Sequence, residues 1–260
     1  HNEAKTINIT RAHLEEDAGK SIHEGFKTEM GESFTGIDLN RAGVPLLEIV
    51  TEPDLSSAKE AVYFLKKLHQ LVRYLKICDG NMQEGSFRCD ANVSVRRQHE
   101  TQLGVRAEIK NLNSFKYLEE AINSEANRQI EAITQGETLK TETRSFDPST
   151  QKTLRLREKE AEADYRYIPD PDLCPLPLSA EFIGKIASSL PELPEQKQIR
   201  FQSQYQLTAY DSALLTETRE GAQYFEEIVK EEGVSAKLAA SWFNGELAAA
   251  LNEAKIGIHE

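Results

Sequence analysis

No stretch of this 260-residue chain approaches the ~20 consecutive apolar residues that a membrane-spanning helix requires. The opening residues His1-Asn2-Glu3-Ala4-Lys5-Thr6 lack the basic and apolar regions of a signal peptide. The three cysteines, Cys78, Cys89 and Cys174, are odd in number and form no C-x-x-C pair. That argues against a disulfide scaffold and a zinc knuckle, so reduced thiols in a cytosolic or organelle-matrix compartment are expected. The phosphate-binding signature G-x-x-x-x-G-K-[ST] is absent, as is the G-x-S-x-G elbow of serine hydrolases. No convincing histidine partner supports cysteine nucleophilic chemistry, and neither internal repeats nor low-complexity tracts occur. A net charge of -12 disfavours a large nonspecific nucleic-acid surface while leaving room for a local basic path.

What is present is ordinary for a globular protein, with 39% hydrophobic and 28% charged residues. The length suits two domains, or one large domain with an appendage. Residues 4–17 alternate as a strand already under way, which points to a partner segment upstream; Gly19–Gly36 reads as a polar, glycine-bearing loop. Ser57-x-x-Glu60 is a capping box before a helix whose face carries Ala61, Val62, Phe64, Leu65, Leu68, Leu71, Val72 and Leu75. Phe87–Arg97 and Val105–Lys110 read as an antiparallel pair. A second helix, capped by Asn113 or Ser114, follows on Phe115, Leu118, Ala121, Ile122, Ile130 and Ile133, with Gly136 as its stop. Thr141–Phe146 and Lys152–Arg157 flank the turn residues Asp147–Gln151. The prolines of Pro169–Pro177 mark a boundary, and helical runs succeed one another beyond it over 179–190, 194–204, 208–216, 219–232 and 235–254. Trp242 reads as core of the last of these. The pattern predicts an α+β region over residues 1–178 and an all-helical domain over residues 179–260.

Glu48 stands inside the apolar run Val44-Pro45-Leu46-Leu47-Glu48-Ile49-Val50, which reads as a buried strand closed by Pro53 and Asp54. An ionised carboxylate buried there costs several kcal/mol unless a cation, a metal or hydrogen bonds hold it. Glu15, Glu16 and Asp17 lie together just before Gly19-Lys20. They read either as a solvated acidic strand end or, with Glu48, as the paired carboxylates that hold Mg²⁺ beside a phosphate. Arg88, Asp90 and Asn92 share one strand face, opposite Phe87, Cys89 and Ala91, and Arg106, Glu108 and Lys110 repeat the device. These faces are either simple ion-paired surfaces or the wall of a polar cleft for a phosphate-bearing ligand. His13 is a weak ligand candidate, and Cys89 reads as a buried, inert thiol. Arg155-Leu156-Arg157 and Tyr165-Arg166-Tyr167 suit either an RNA contact or a soluble hairpin edge.

The stretches Arg11–Lys20, Asp38–Ile49, Glu84–Asn92, Glu108–Phe115 and Asp164–Tyr167, in this order, resemble the signatures of the B subunit of the tRNA-dependent amidotransferases. Leu190–Pro194 and Ala209-Tyr210-Asp211 extend the resemblance into the helical part. The resemblance implies a kinase-like antiparallel-sheet cradle with flanking helices and ATP/Mg²⁺-dependent phosphorylation of the side-chain carboxylate of Glu-tRNA(Gln), Asp-tRNA(Asn) or both. Ammonia released by the A subunit, which is an amidase, then displaces the phosphate. A small C subunit completes a heterotrimer in which neither membrane nor DNA is a partner. Matched by motif, Glu16 and Glu48 are metal ligands and catalytic. Lys20 and Arg41 are assigned to the phosphates of ATP, and Arg88, Asp90, Lys110 and Asn111 to the aminoacyl pocket. The family's amino-terminal Glu-x-His segment and carboxy-terminal tail domain have no counterpart here, so part of the metal shell is expected to be missing. A non-catalytic tRNA-binding or assembly scaffold is the alternative, and a ligase acting on free glutamate is a third reading.

Overall fold

Period-two alternation governs the first of the two units into which the chain divides, His1–Glu60. In the computed structural model, which describes residues 4–22, 31, 33–158 and 174–258, β1 (Ile9–Glu16) runs antiparallel to β4 (Pro45–Thr51). Their register pairs Ala12 with Ile49, His13 with Glu48, Leu14 with Leu47 and Glu16 with Pro45. β2 (Lys20–Ile22) pairs with β3 (Gly36–Asp38), so the ends of the expected Gly19–Gly36 loop are themselves strands. The run around Glu48 is not the buried strand its composition suggests: Val44, Pro45 and Leu47 are exposed and the rest half-buried. Among the described residues no third strand joins this ribbon to cover it, which is why apolar composition alone misleads here.

In the second unit, Ala61–Glu260, helix α1 (Ala58–Tyr74) leads into a four-stranded sheet. Ser57 caps α1 by accepting from the Glu60 amide at 3.2 Å, while the Glu60 carboxylate reaches back to the Ser56 amide at 2.8 Å. The sheet order is β5 (Cys89–Val93), β6 (Ala107–Leu112), β7 (Glu142–Asp147) and β8 (Lys152–Glu158). Both expected hairpin pairs are antiparallel, but β6 and β7 run parallel. The sheet is therefore mixed, correcting the expectation of an antiparallel one. The cause is helix α2 (Phe115–Thr134) between them, since a helical crossover returns the chain in its original direction. The apolar core joins Leu65 of α1 to Val93, Ile109 and Leu112 of the sheet and Leu118 and Ala121 of α2.

Helix α2 begins at Ser114, whose side chain accepts from the Tyr117 amide. Its buried positions include Glu125 and Gln129, whereas Ile130, an expected core residue, is exposed. The Glu125 carboxylate accepts from Arg128 at 2.6 and 3.0 Å, from Gln129 at 2.8 Å and from the Thr153 hydroxyl at 2.7 Å, and lies 3.2 Å from Arg144. Gln129 in turn donates to the Val93 carbonyl at 3.0 Å, tying helix to sheet.

Helices α3 (Ala180–Ser189), α4 (Pro194–Tyr205), α5 (Ala209–Leu215), α6 (Arg219–Ile228), α7 (Ala236–Trp242) and α8 (Ala248–Ala254) follow the expected helical runs. A π-helical turn, Phe243–Leu247, separates the last two. Ser179, Thr208, Thr218 and Ser235 cap their helices through side-chain oxygens, which explains why these boundaries were readable. A second core gathers Phe201, Leu207, Leu215, Ala222, Phe225, Ala239 and Ala240. Trp242 is not in it: its side chain is exposed, and Phe243 takes that place. No helix among the described residues is long and apolar enough to cross a membrane.

Candidate functional site

The expected residues fall into two clusters, one in each unit. On the ribbon, Arg11 Nη2 lies 3.0 Å from Glu48 Oε1, and this ion pair is the partner that makes the carboxylate tolerable. With 36% of its side chain exposed, Glu48 is only half desolvated. Directly paired residues of an antiparallel ribbon project to the same face, so Glu48 shares a face with His13, and by alternation with Arg11 and Glu15. Glu16, three residues from His13 and paired with Pro45, projects to the opposite, exposed face with Leu14. The register thus separates Glu16 from Glu48, the two residues that the motif match assigns to one metal. A group of three or more His, Cys, Asp or Glu side chains able to hold a metal is not found among the described residues. On opposite faces of the ribbon, these two carboxylates do not fit a shared Mg²⁺.

Beside β1, Arg41 donates through Nε to Asp17 Oδ2 at 3.0 Å, and its Nη2 lies 2.9 Å from the same oxygen. The Asp17 and Val44 backbones bond at 2.8 Å, and Gly43, at φ 78°, donates to the Asp17 carbonyl at 2.9 Å. The left-handed conformation at Gly43 is the reason glycine suits this turn. Lys20 is exposed at the end of β2, paired with Asp38.

The second cluster lies on the polar face of β5 and β6. Arg88, Asp90 and Asn92 are exposed in alternation with half-buried Cys89 and Ala91, as their spacing predicts. Lys110 Nζ lies 2.7 Å from Asp90 and 3.0 Å from Glu108. Burial alone would lower the Lys110 pKa, but hydrogen bonds and charge from Asp90 and Glu108 outweigh it and raise it. The ammonium is thus held charged between two carboxylates. Cys89 turns toward the core, and burial, aided by the Asp90 charge, pushes its thiol up to about 12.

Asn111 interrupts this strand. Its φ is 64°, the register shifts between Cys89 and Ala91, and Leu112 pairs with Cys89 while Ile109 pairs with Ala91. Two residues, Lys110 and Asn111, therefore oppose Asp90 alone, which defines a β-bulge.

Sequence reasoning missed His69 and Gly80, which support this face. His69 Nε2 bonds the Gly80 carbonyl at 2.8 Å, and its ring meets Phe87 and Phe115 edge-on at centroid distances of 5.1 and 5.5 Å. Gly80, at φ 76°, leaves no room for a Cβ, which would come 2.5 Å from His69 Nε2. From there Asn81 organises the loop, accepting at Oδ1 from the Gln83 and Glu84 amides at 3.0 and 3.2 Å. Arg88 closes it by donating from Nε to the Gly85 carbonyl at 3.0 Å. A histidine on an amphipathic helix gives no sequence signal of such a contact. The Asp164–Tyr167 motif lies outside the described residues.

Residues 1–184 match the family model described as the GatB/GatE catalytic domain. The chain is similar to the aspartyl/glutamyl-tRNA(Asn/Gln) amidotransferase B subunit of Thioalkalivibrio sulfidiphilus, at 60% identity over 96% of this chain and 52% of that protein. It is 57% identical to the protein of the same description from Alkalilimnicola ehrlichii, over 97% of this chain and 52% of that protein. For that of Ralstonia pickettii the identity is again 57%, over 98% and 51%. The chain thus spans about half the length of the curated relatives it matches.

Proposed function

Since this chain belongs to the GatB/GatE catalytic-domain family, we propose that it is the catalytic part of the B subunit of a tRNA-dependent amidotransferase. Its substrates are ATP and a tRNA misacylated with glutamate or aspartate, and its partners are an amidase and a small bracing subunit. A side-chain carboxylate oxygen of the misacylated residue attacks the γ-phosphorus of ATP and ADP leaves. Ammonia then attacks the acyl carbon, phosphate departs and the amide remains. Neither step asks for a protein nucleophile; both ask for fixed charge beside the reacting oxygens.

The observation that carries this reading is the ammonium of Lys110, pinned by Asp90 and Glu108 on a polar strand face. In our reading Lys110 neutralises charge on the acyl phosphate, while Asp90 and Asn111 shape its surroundings and Arg88 contacts the aminoacyl end. Lys20 and Arg41 are assigned to the phosphates of ATP. Glu48 and Glu16 stay as acidic residues required for phosphorylation, with no common ligand ascribed to them.

The test uses the full-length protein reconstituted with its amidase and bracing partners. Lys110→Gln is expected to lower amidation by about 10²–10³-fold with tRNA binding retained, the size typical of one lost charge-stabilising donor. Glu48→Gln is expected to abolish ATP-dependent phosphorylation. Wild-type amidation by both variants would instead identify a tRNA-binding scaffold.

A further inference from the structure

The spacing of buried residues in β6 cannot be produced by an ordinary strand. Ile109 and Leu112 are both buried, at 0% and 2% exposure, yet they stand three positions apart, where strict alternation would send them to opposite faces. Between them, Lys110 faces the polar side and Asn111 is exposed. The chain reconciles these demands by placing Asn111 in the left-handed region, at φ 64°, and giving it no partner of its own in the register. The extra residue resets the phase, so that Leu112 returns to the core while Lys110 stays on the face of Asp90 and Glu108. Asparagine is among the few residues with a side chain that visit this conformation readily.

We propose that Asn111 is a positioning residue whose left-handed backbone, not its amide group, holds the Lys110 ammonium between Asp90 and Glu108. The proposal deepens the function given above and rests on the role assigned there to Lys110. It makes one sharp distinction between substitutions. Glycine keeps the conformation while deleting the side chain, whereas alanine deletes the side chain and disfavours the conformation.

The experiment compares Asn111→Gly, Asn111→Ala and Lys110→Gln in the full-length protein reconstituted with its partners. Amidation kinetics are one readout. The other is acylation of Lys110 by a water-soluble amine reagent, followed by peptide mass analysis. Asn111→Gly is expected to acylate at Lys110 as slowly as wild type and to retain clearly more activity than Asn111→Ala. Asn111→Ala is expected to lose about 10–100-fold in kcat with the KM for tRNA held, as a reacting group displaced by about 1 Å does, and to acylate several-fold faster at Lys110. Equal loss in the glycine and alanine variants would assign the role to the amide and overturn the proposal. An alanine variant matching wild type in both readouts would overturn it equally. Faster acylation in Asn111→Ala together with full activity in Lys110→Gln would uphold the positioning role and refute the function ascribed to Lys110.

Discussion

Cys89 and Glu48 illustrate what a single position owes to its strand. Cys89 alternates with Arg88 and Asp90, so its sulfur turns inward and its thiol is pushed up to about 12 by burial and by the neighbouring Asp90. At pH 8 its thiolate fraction falls to the order of 10⁻⁴, too little for reaction with a disulfide reagent. Exposed Cys174 is expected to label rapidly at that pH while Cys89 labels only on unfolding, as counted by titration with and without denaturant. Glu48 is a charge in an apolar run whose partner is Arg11, on a strand that is half-exposed. Half-exposed pairs of this kind contribute about 0–1 kcal/mol, so Glu48→Gln should leave the unfolding midpoint almost unchanged, as followed by circular dichroism. The parity that separates Glu15 from Glu16 was legible only once the pairing register was known, because both are glutamates in one acidic run.

Helix α2 and the strands it packs on carry the most consequential polar burial in the fold. Burial pushes the Glu125 carboxyl up, but hydrogen bonds from Arg128, Gln129 and Thr153 more than compensate and hold it below the ordinary glutamate value of 4.5. A carboxyl lowered by folding binds protons more readily when unfolded. Its stabilisation is therefore fully present above about pH 4.5 and is lost as the pH falls through its lower folded value. Glu192 and Glu226, held down by Arg200 and Lys197 around α4 and α6, act in the same sense. Urea midpoints measured from pH 7 to pH 3 should fall in acid. Glu125→Ala, which removes one of the two carboxylates shared by Arg128 and Arg144 and leaves them Glu142, should cost about 3 kcal/mol at pH 7. The helix itself was legible from its apolar spacing and its Ser114 cap, but Glu125 and Gln129 look like surface residues in sequence, and Ile130 looks like core. The parallel join of β6 to β7 was equally hidden, since its partners lie on either side of a whole helix and share no local turn signal.

Among the described residues most strands and helices appeared where alternation, caps and prolines announced them, β2 and β3 excepted, while packing partners did not. The succession of helices beyond Ser179 was readable because side-chain caps open most of them, and their shared core rests on apolar positions such as Phe201, Leu215 and Phe225. The polar face of β5 was readable for the same reason as any amphipathic strand. The supporting contact of His69 with Gly80 was not, since the meeting of a helix with a distant loop leaves no periodic trace. A chain with a net charge of -12 has little excess cation for phosphate contacts, so residues 1–260 alone are expected to bind tRNA weakly in filter-binding assays. Tight binding that persists at high salt would contradict this.

The odd spacing of Ile109 and Leu112 also has a meaning for descent. Deleting Asn111 would restore plain alternation with Leu112 still on the core face, two places from Ile109, whereas one residue added between Lys110 and Leu112 would turn Leu112 outward. Insertion in this stretch is therefore barred more strictly than loss of Asn111, and a chain that keeps the fold can be shorter here by one residue but not longer.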